Sequence, residues 1–343
     1  MTTAGTAAVT LSREQILAHR RRAGGLEARV PISAESLRRA AWVGLQDSMP
    51  RAALLSIHAR VTGATPSSWE HPALVQTWGP RFAAYAMARE DLAYFTLARL
   101  PDDAKGRRRA EDVAQQLHEH LAGRTMPYGE AGWAMGINPN MLRYGAATGR
   151  ILIRWGGARA STIWTVPRPD IEPLAARIEL ARRYLHLFGP SDAAAFARWA
   201  GIGTGEARRA LMALASETVT VDTPIGNGLI LAADEASFRS PFAPGGPVRL
   251  LPSGDAYTLL HGIDRDLLTP DATQRDALWT PRVWPGALLV DGEIVGVWRR
   301  DGPNVSIDAF RALSSAERTA VEAEAASLPL PDLATDVRVR WNA

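Results

Sequence analysis

The sequence has no cysteine in its 343 residues, so it forms no disulfide and offers no thiolate to a zinc ion. It is almost without lysine: Lys105 is the single one, and every other member of its 39 basic residues is arginine. No run approaches the eighteen or so apolar residues that a membrane span requires. The opening Met1-Thr2-Thr3-Ala4-Gly5-Thr6-Ala7-Ala8 has neither the basic stretch nor the apolar core of a signal peptide. No His-Glu-x-x-His, Gly-x-Ser-x-Gly or Walker pattern occurs, which removes the common metalloprotease, serine hydrolase and phosphate-loop chemistries. These absences predict a soluble cytoplasmic chain without membrane, metal or cofactor.

Net charge is only +3 although the isoelectric point is about 9.6. An arginine- and alanine-rich, lysine-poor composition reflects GC-rich codon usage as readily as selection for phosphate contacts. The clusters Arg20-Arg21-Arg22 and Arg107-Arg108-Arg109 therefore read equally well as solvated helix faces. His118-Glu119-His120 is no metal site, since positions i and i+2 leave a helix in different directions; the other histidines stand alone. The eleven tryptophans read as core anchors.

What the sequence does have is one motif written twice. Ala134-Met135-Gly136-Ile137-Asn138-Pro139-Asn140-Met141-Leu142-Arg143 and Trp199-Ala200-Gly201-Ile202-Gly203-Thr204-Gly205-Glu206-Ala207-Arg208 each give a small-residue helix, a turn at Gly and a second helix with Arg in the same place. Gly136 and Gly201, 65 residues apart, sit where the backbone must turn left-handed to end a helix. Each copy is followed by two strand-like segments, 151–155 with 162–166 and 219–221 with 229–231. Helix, turn, helix and wing predict tandem winged helices, whose second helix reads a DNA major groove.

Other elements follow from local signals. Ser12 and Gln15 form a capping box. The spacing predicts helices over 33–46, 52–61, 78–85, 91–100, 113–121, 174–188 and 314–328. Asp291-Gly292 marks a hairpin between strands 286–290 and 294–299. The fold class predicted is α+β, mainly helical: an N-terminal unit over 1–105, winged helices over 106–170 and 171–240, and a barrel-like β-rich module over 241–343.

The segment Gly44-Leu45-Gln46-Asp47-Ser48-Met49-Pro50-Arg51 sets three polar side chains between two apolar helices. With Trp78…Arg81, the two helix–turn–helix units, Arg249-Leu250-Leu251-Pro252…Asp255 and Leu289-Val290-Asp291-Gly292…Gly296-Val297-Trp298-Arg299-Arg300, it resembles the AlkZ/YcaQ-like bacterial winged-helix DNA glycosylases over nearly the whole chain. That family's catalytic motif is Gln, an apolar residue, then Gln or Asp. Gln46 matches the first position, Asp47 falls on the apolar one and Ser48 on the last. Of the family's Arg-Gly-Thr-x-His stretch, Arg81-Phe82-Ala83-Ala84-Tyr85 keeps only the arginine.

The resemblance implies a monofunctional glycosylase that binds double-stranded DNA as a monomer and releases alkylated purines by attack of a positioned water. Such a base departs already charged, so the protein must place water and stabilise an oxocarbenium-like sugar. Gln46, Asp47 and Ser48 are the candidate catalytic residues; Asp47 or Ser48 serves equally as the cap of the helix beginning near Pro50. Arg51, Arg81, Arg143, Arg150, Arg159 and Arg208 are the candidate DNA contacts, each with solvated surface arginine as its alternative. Two further readings stay open: a non-catalytic DNA-binding protein on the same scaffold, and a module whose winged helices pack on each other. An Asp47 turned onto the N–H groups of the following helix favours the non-catalytic reading.

Overall fold

A computed structural model describes residues 9–47, 49, 51–156, 161–241, 246–331 and 336–342. Ser48, Pro50 and Arg159 fall outside the described residues. The fold is mixed α+β. Among the described residues, no helix is long and apolar enough to cross a membrane.

The helix Arg13–Ala23 opens with the reciprocal cap its sequence encodes: Gln15 N–H donates to Ser12 Oγ at 3.3 Å and Ser12 N–H to Gln15 Oε1 at 2.8 Å. Its arginines are not a solvated face. Arg20 and Arg21 are buried; Arg20 donates to the carbonyls of Phe188 and Gly189, and Arg21 to that of Gly292.

Two segments expected to be helical are strands. The helix Ala34–Ala40 stops well before 46; Gly44 turns left-handed (φ +75°), and Leu45–Gln46 pairs with Ala86 and Tyr85. Where a helix is expected over 78–85, Leu74–Trp78 and Ala84–Ala88 form an antiparallel hairpin whose strand residues are all buried, so no polar alternation announces it. Gln76 pairs with Ile153, and six strands join one sheet in the order Leu45–Gln46, Ala84–Ala88, Leu74–Trp78, Ile151–Arg154, Thr162–Thr165, Met126–Pro127.

Both copies of the repeated motif form helix, turn, helix and hairpin. In the first, Tyr128–Ala134 ends at Gly136 (φ +71°), and the second helix is short and broken: a 3₁₀ turn at Pro139–Met141, a helix Leu142–Gly145 and another 3₁₀ turn at Ala146–Thr148. In the second, Ala193–Ala200 ends at Gly201 (φ +68°) and Thr204–Ala213 is regular. Its hairpin, Thr218–Thr223 with Gly226–Leu231, takes Val9–Thr10 as a parallel third strand.

The C-terminal sheet is open, not barrel-like. Its five strands run Arg249–Leu251, Gly286–Val290, Glu293–Asp301, Asn304–Ala309, Arg338–Trp341, so first and last lie at opposite edges. The helix Ser315–Ala326 crosses one face, burying Val321 and Ala325 against Leu288, Val305 and Ile307, and the chain returns parallel to Asn304–Ala309. A covering helix takes the face that curling into a barrel would bury. Asp291 (φ +51°) and Gly292 (φ +84°) make the tight turn read from their sequence.

Candidate functional site

Asp47 follows the two-residue strand Leu45–Gln46, where its N–H donates to Ala84 O at 2.8 Å, and its side chain turns inward. It is 0% exposed. Oδ1 accepts from Ala53 N–H at 3.0 Å, near the start of the helix Ala52–His58, and Oδ2 accepts from Gln76 Nε2 at 2.9 Å. Gln76 is fixed in turn by accepting from Trp155 N–H at 2.7 Å. Burial pushes the Asp47 carboxyl up to about 6, opposed by the Ala53 hydrogen bond and by the Arg51 charge. Asp47 therefore caps the following helix, with both oxygens committed.

Arg51 holds a left-handed backbone (φ +66°), donates to Trp155 O at 2.9 Å, stands 4.0 Å from Asp47 Oδ2 and lies 3.8 Å over the Trp69 ring. Its guanidinium is thus spent on the protein's own structure. Beyond the motif, Met49 lines a cavity of about 360 Å³ walled by Leu55, Trp284 and Trp298, with Arg299 and Arg300 at its edge.

Gln46 points the other way. Its Oε1 accepts from Arg81 Nη2 at 3.2 Å and from the buried Tyr85 hydroxyl at 3.3 Å. Because a guanidinium only donates, this network assigns the carboxamide its orientation. Nε2 then faces Gly254, where an added Cβ would sit 3.1 Å away, so Gly254 leaves room for the amide. Arg81 is exposed and left-handed (φ +56°); Nη1 donates to Trp199 O at 3.0 Å and to His261 Nε2 at 3.3 Å. Burial, then Arg81, Arg265 and Arg198, push His261 down to about 4. It is a neutral acceptor inside a positive cluster. Gln46 thus sits where the first hairpin, the second motif's turn and the 252–262 segment meet.

The remaining arginines do not gather there. Arg143 is half-buried 5.9 Å from the Trp78 ring, and its Nε has no hydrogen-bond partner among the described residues. Arg150 donates to Gln115 at 2.8 Å in a separate cavity of about 510 Å³ that also holds His118 and Arg168. Arg208 is exposed beyond the Gly201 turn. Sequence reasoning missed Tyr85, Gly254 and His261: the first lay in a segment read as helix, and His261 is 180 residues from Arg81. It also left His19 and His186 isolated. They meet at Asp234, with His19 Nε2 donating to His186 O at 2.8 Å, its Nδ1 2.9 Å from Ser237 Oγ, and His186 Nδ1 3.0 Å from both Asp234 oxygens. This network joins three helices through ring nitrogens that already have partners.

The sequence profile of the family described as "DNA glycosylase AlkZ-like" matches residues 37–329. Among solved structures the chain is similar to the Streptomyces sahachiroi DNA glycosylase AlkZ, at 18% identity and a TM-score of 0.76 over 97% of this chain and 100% of that one. No curated protein matches in sequence.

Proposed function

Because the chain belongs to the AlkZ-like DNA glycosylase family, we propose that it binds double-stranded DNA and hydrolyses the N-glycosidic bond of alkylated purines, acting as a monomer. The two helix–turn–helix–hairpin units are read as winged helices that hold the duplex, with Arg81 and Arg208 among the phosphate contacts. Arg143 and Arg150 are weaker candidates because each is partly engaged within its own unit.

Gln46 carries the reading. It is the side chain of the described motif that leaves the interior, and its amide is held in one orientation by Arg81 and Tyr85. A purine alkylated at N7 or N3 leaves with its positive charge neutralised by the bond electrons, so no general acid is required. What remains is to place water against the sugar and to stabilise its developing cation. A fixed carboxamide suits the first task. Asp47 acts through structure: by capping Ala52–His58 and tying Gln76, it sets the chain direction from which Gln46 projects.

The sealed Asp47 favours a second reading, duplex binding without excision, because the motif's one carboxylate cannot reach a sugar cation from a position that is 0% exposed. One assay separates the two. The protein is incubated with duplex DNA bearing N7-methylguanine or N3-methyladenine, and released base, abasic sites and binding are measured together. Base release that Gln46→Ala abolishes while sparing binding supports the glycosylase; tight binding with no base release establishes the second reading.

A further inference from the structure

The tip of the first hairpin, between Leu74–Trp78 and Ala84–Ala88, places two successive non-glycine residues in the left-handed region: Arg81 (φ +56°) and Phe82 (φ +57°). A bulky side chain seldom adopts that backbone, and where it persists the surroundings must enforce it. They do so here. Arg81 is anchored to Trp199 O, and the Gly201 turn lies against its backbone. Phe82 N–H donates to Gly79 O at 3.1 Å.

The conformation does not serve to bury the ring. Phe82 is 37% exposed, although it is an aromatic residue within a well-packed fold. It meets Tyr144 of the helix Leu142–Gly145 edge-on with ring centroids 5.0 Å apart, and among the described residues no other aromatic ring packs against it. Cations surround it. The buried Arg99 lies 5.7 Å from its face and has no carboxylate partner among the described residues, and Arg109 lies 3.6 Å over Tyr144. An exposed aromatic residue thus stands between the two helix–turn–helix units, one residue from the arginine that orients Gln46, in a setting of positive charge that suits a polyanion.

We propose that Phe82 is a wedge: on the bound duplex it enters the base stack beside the damaged nucleotide and holds the gap open as that nucleotide moves toward Gln46. This rests on the reading that DNA lies on this face. Apolar side chains that part a base step work in this way, and a damaged base costs less to unstack than an intact pair. The strained tip keeps the ring out of the protein core and ready before DNA arrives.

The full-length protein is titrated into a duplex carrying 2-aminopurine next to N7-methylguanine, whose fluorescence rises on unstacking, and separately into an intact duplex and one with a single-base bulge. Phe82→Gly relieves the left-handed backbone and so keeps the fold; Phe82→Trp restores a wedge. The wild type and Phe82→Trp are expected to raise the fluorescence at saturation, and Phe82→Gly to lose the rise. Phe82→Gly should bind the intact duplex about ten-fold more weakly, the scale of one lost base–aromatic stack, and the bulged duplex within about two-fold of wild type. A rise that persists in Phe82→Gly, or equal weakening on both duplexes, overturns the wedge. Wild-type protein that binds with no rise overturns the wedge alone; wild-type protein that binds no duplex overturns the DNA reading and the wedge with it.

Discussion

The unit running from Tyr128 to Thr165 keeps its turn open, with nothing within 4 Å of a Cβ placed on Gly136, whereas the unit from Ala193 to Leu231 closes its turn onto Arg81, whose amide would lie 3.0 Å from a Cβ on Gly201. The helices that lead into them differ in the same sense. Ala104–Leu121 buries one stripe, Ala110, Ala114, Leu117 and Leu121, and leaves the rest to solvent. Pro173–Phe188 is buried on most sides, even to Arg177 and Arg183, whose guanidiniums pair with Asp102 and Asp91. A repeated sequence therefore sets the local backbone twice, while the surroundings decide what each copy does. The first copy is loosely held at the periphery, and the second is built into the scaffold.

The largest effect that tests this contrast is at the ion pairs. Asp91 is fully buried and accepts from Arg183 at 2.8 Å and from Arg38 at 2.7 and 3.0 Å, so Asp91→Ala removes the buried carboxylate they share, leaves them only Glu179 and Glu90, and should cost about 3 kcal/mol in urea unfolding. Glu111, which meets Arg168 at 3.4 Å on the surface of the first unit, should cost under about 1 kcal/mol as Glu111→Ala. Comparable losses would erase the distinction between packed scaffold and loosely held periphery.

Asp47 sharpens it further, being buried like Asp91 but with its nearest guanidinium, that of Arg51, standing off at 4.0 Å. Its carboxyl, raised from about 3.8 to about 6, binds a proton more tightly in the folded state. The stability this contributes is full below about pH 4 and is lost as pH rises through about 6. Against Asp47→Asn, which has nothing to titrate, wild-type stability should fall by up to about 3 kcal/mol over that window and then level off. Denaturant midpoints of both proteins at pH 4 to 7 measure it; parallel curves would show that the carboxylate is stabilised by its N–H donors after all.

The turns come next. Alanine at either glycine must adopt a left-handed backbone, costing about 1–2 kcal/mol. Gly201→Ala adds the close contact with Arg81 and should exceed Gly136→Ala in thermal melts, while also disturbing the hairpin tip. Equal shifts would mean that the Gly201 turn is not a structural contact. The smallest effect is in binding: Arg143→Ala and Arg208→Ala should each flatten the salt dependence of duplex affinity by about one unit if each meets a phosphate. A change in only one would say which unit touches the backbone, and none in either would remove both from the interface.

What the sequence revealed was local. The capping box at Ser12, the left-handed glycines at 136 and 201 and the Asp291-Gly292 turn all follow from residues within a few positions of one another. The Leu74–Trp78 and Ala84–Ala88 hairpin was hidden because strands buried on both faces lose the alternation that marks a strand. The open C-terminal sheet was hidden because a run of strands does not say whether a helix will cover them. Gln46 was legible as a candidate through the family motif, but its neighbours Tyr85, Gly254 and His261 were not, since only the folded chain brings them to it. Arg20 and Arg21 looked like surface charge because their acceptors are backbone carbonyls far along the chain.

The parallel pairing of Val9–Thr10 with Val221 and Asp222 also dictates an order of assembly. During synthesis this strand has no partner until more than two hundred further residues have left the ribosome. Arg13, a few positions on, waits longer, since its two bonds to Glu293 span 280 residues. Contacts of such separation form late and slowly. Until then the apolar side chains of Leu11 and Ile16, which end in one cluster with Val221, Ile230 and Phe238, lie uncovered. The Val9–Ile16 segment is therefore locked in place long after it is made, and a nascent chain halted before residue 221 would leave it without this cover.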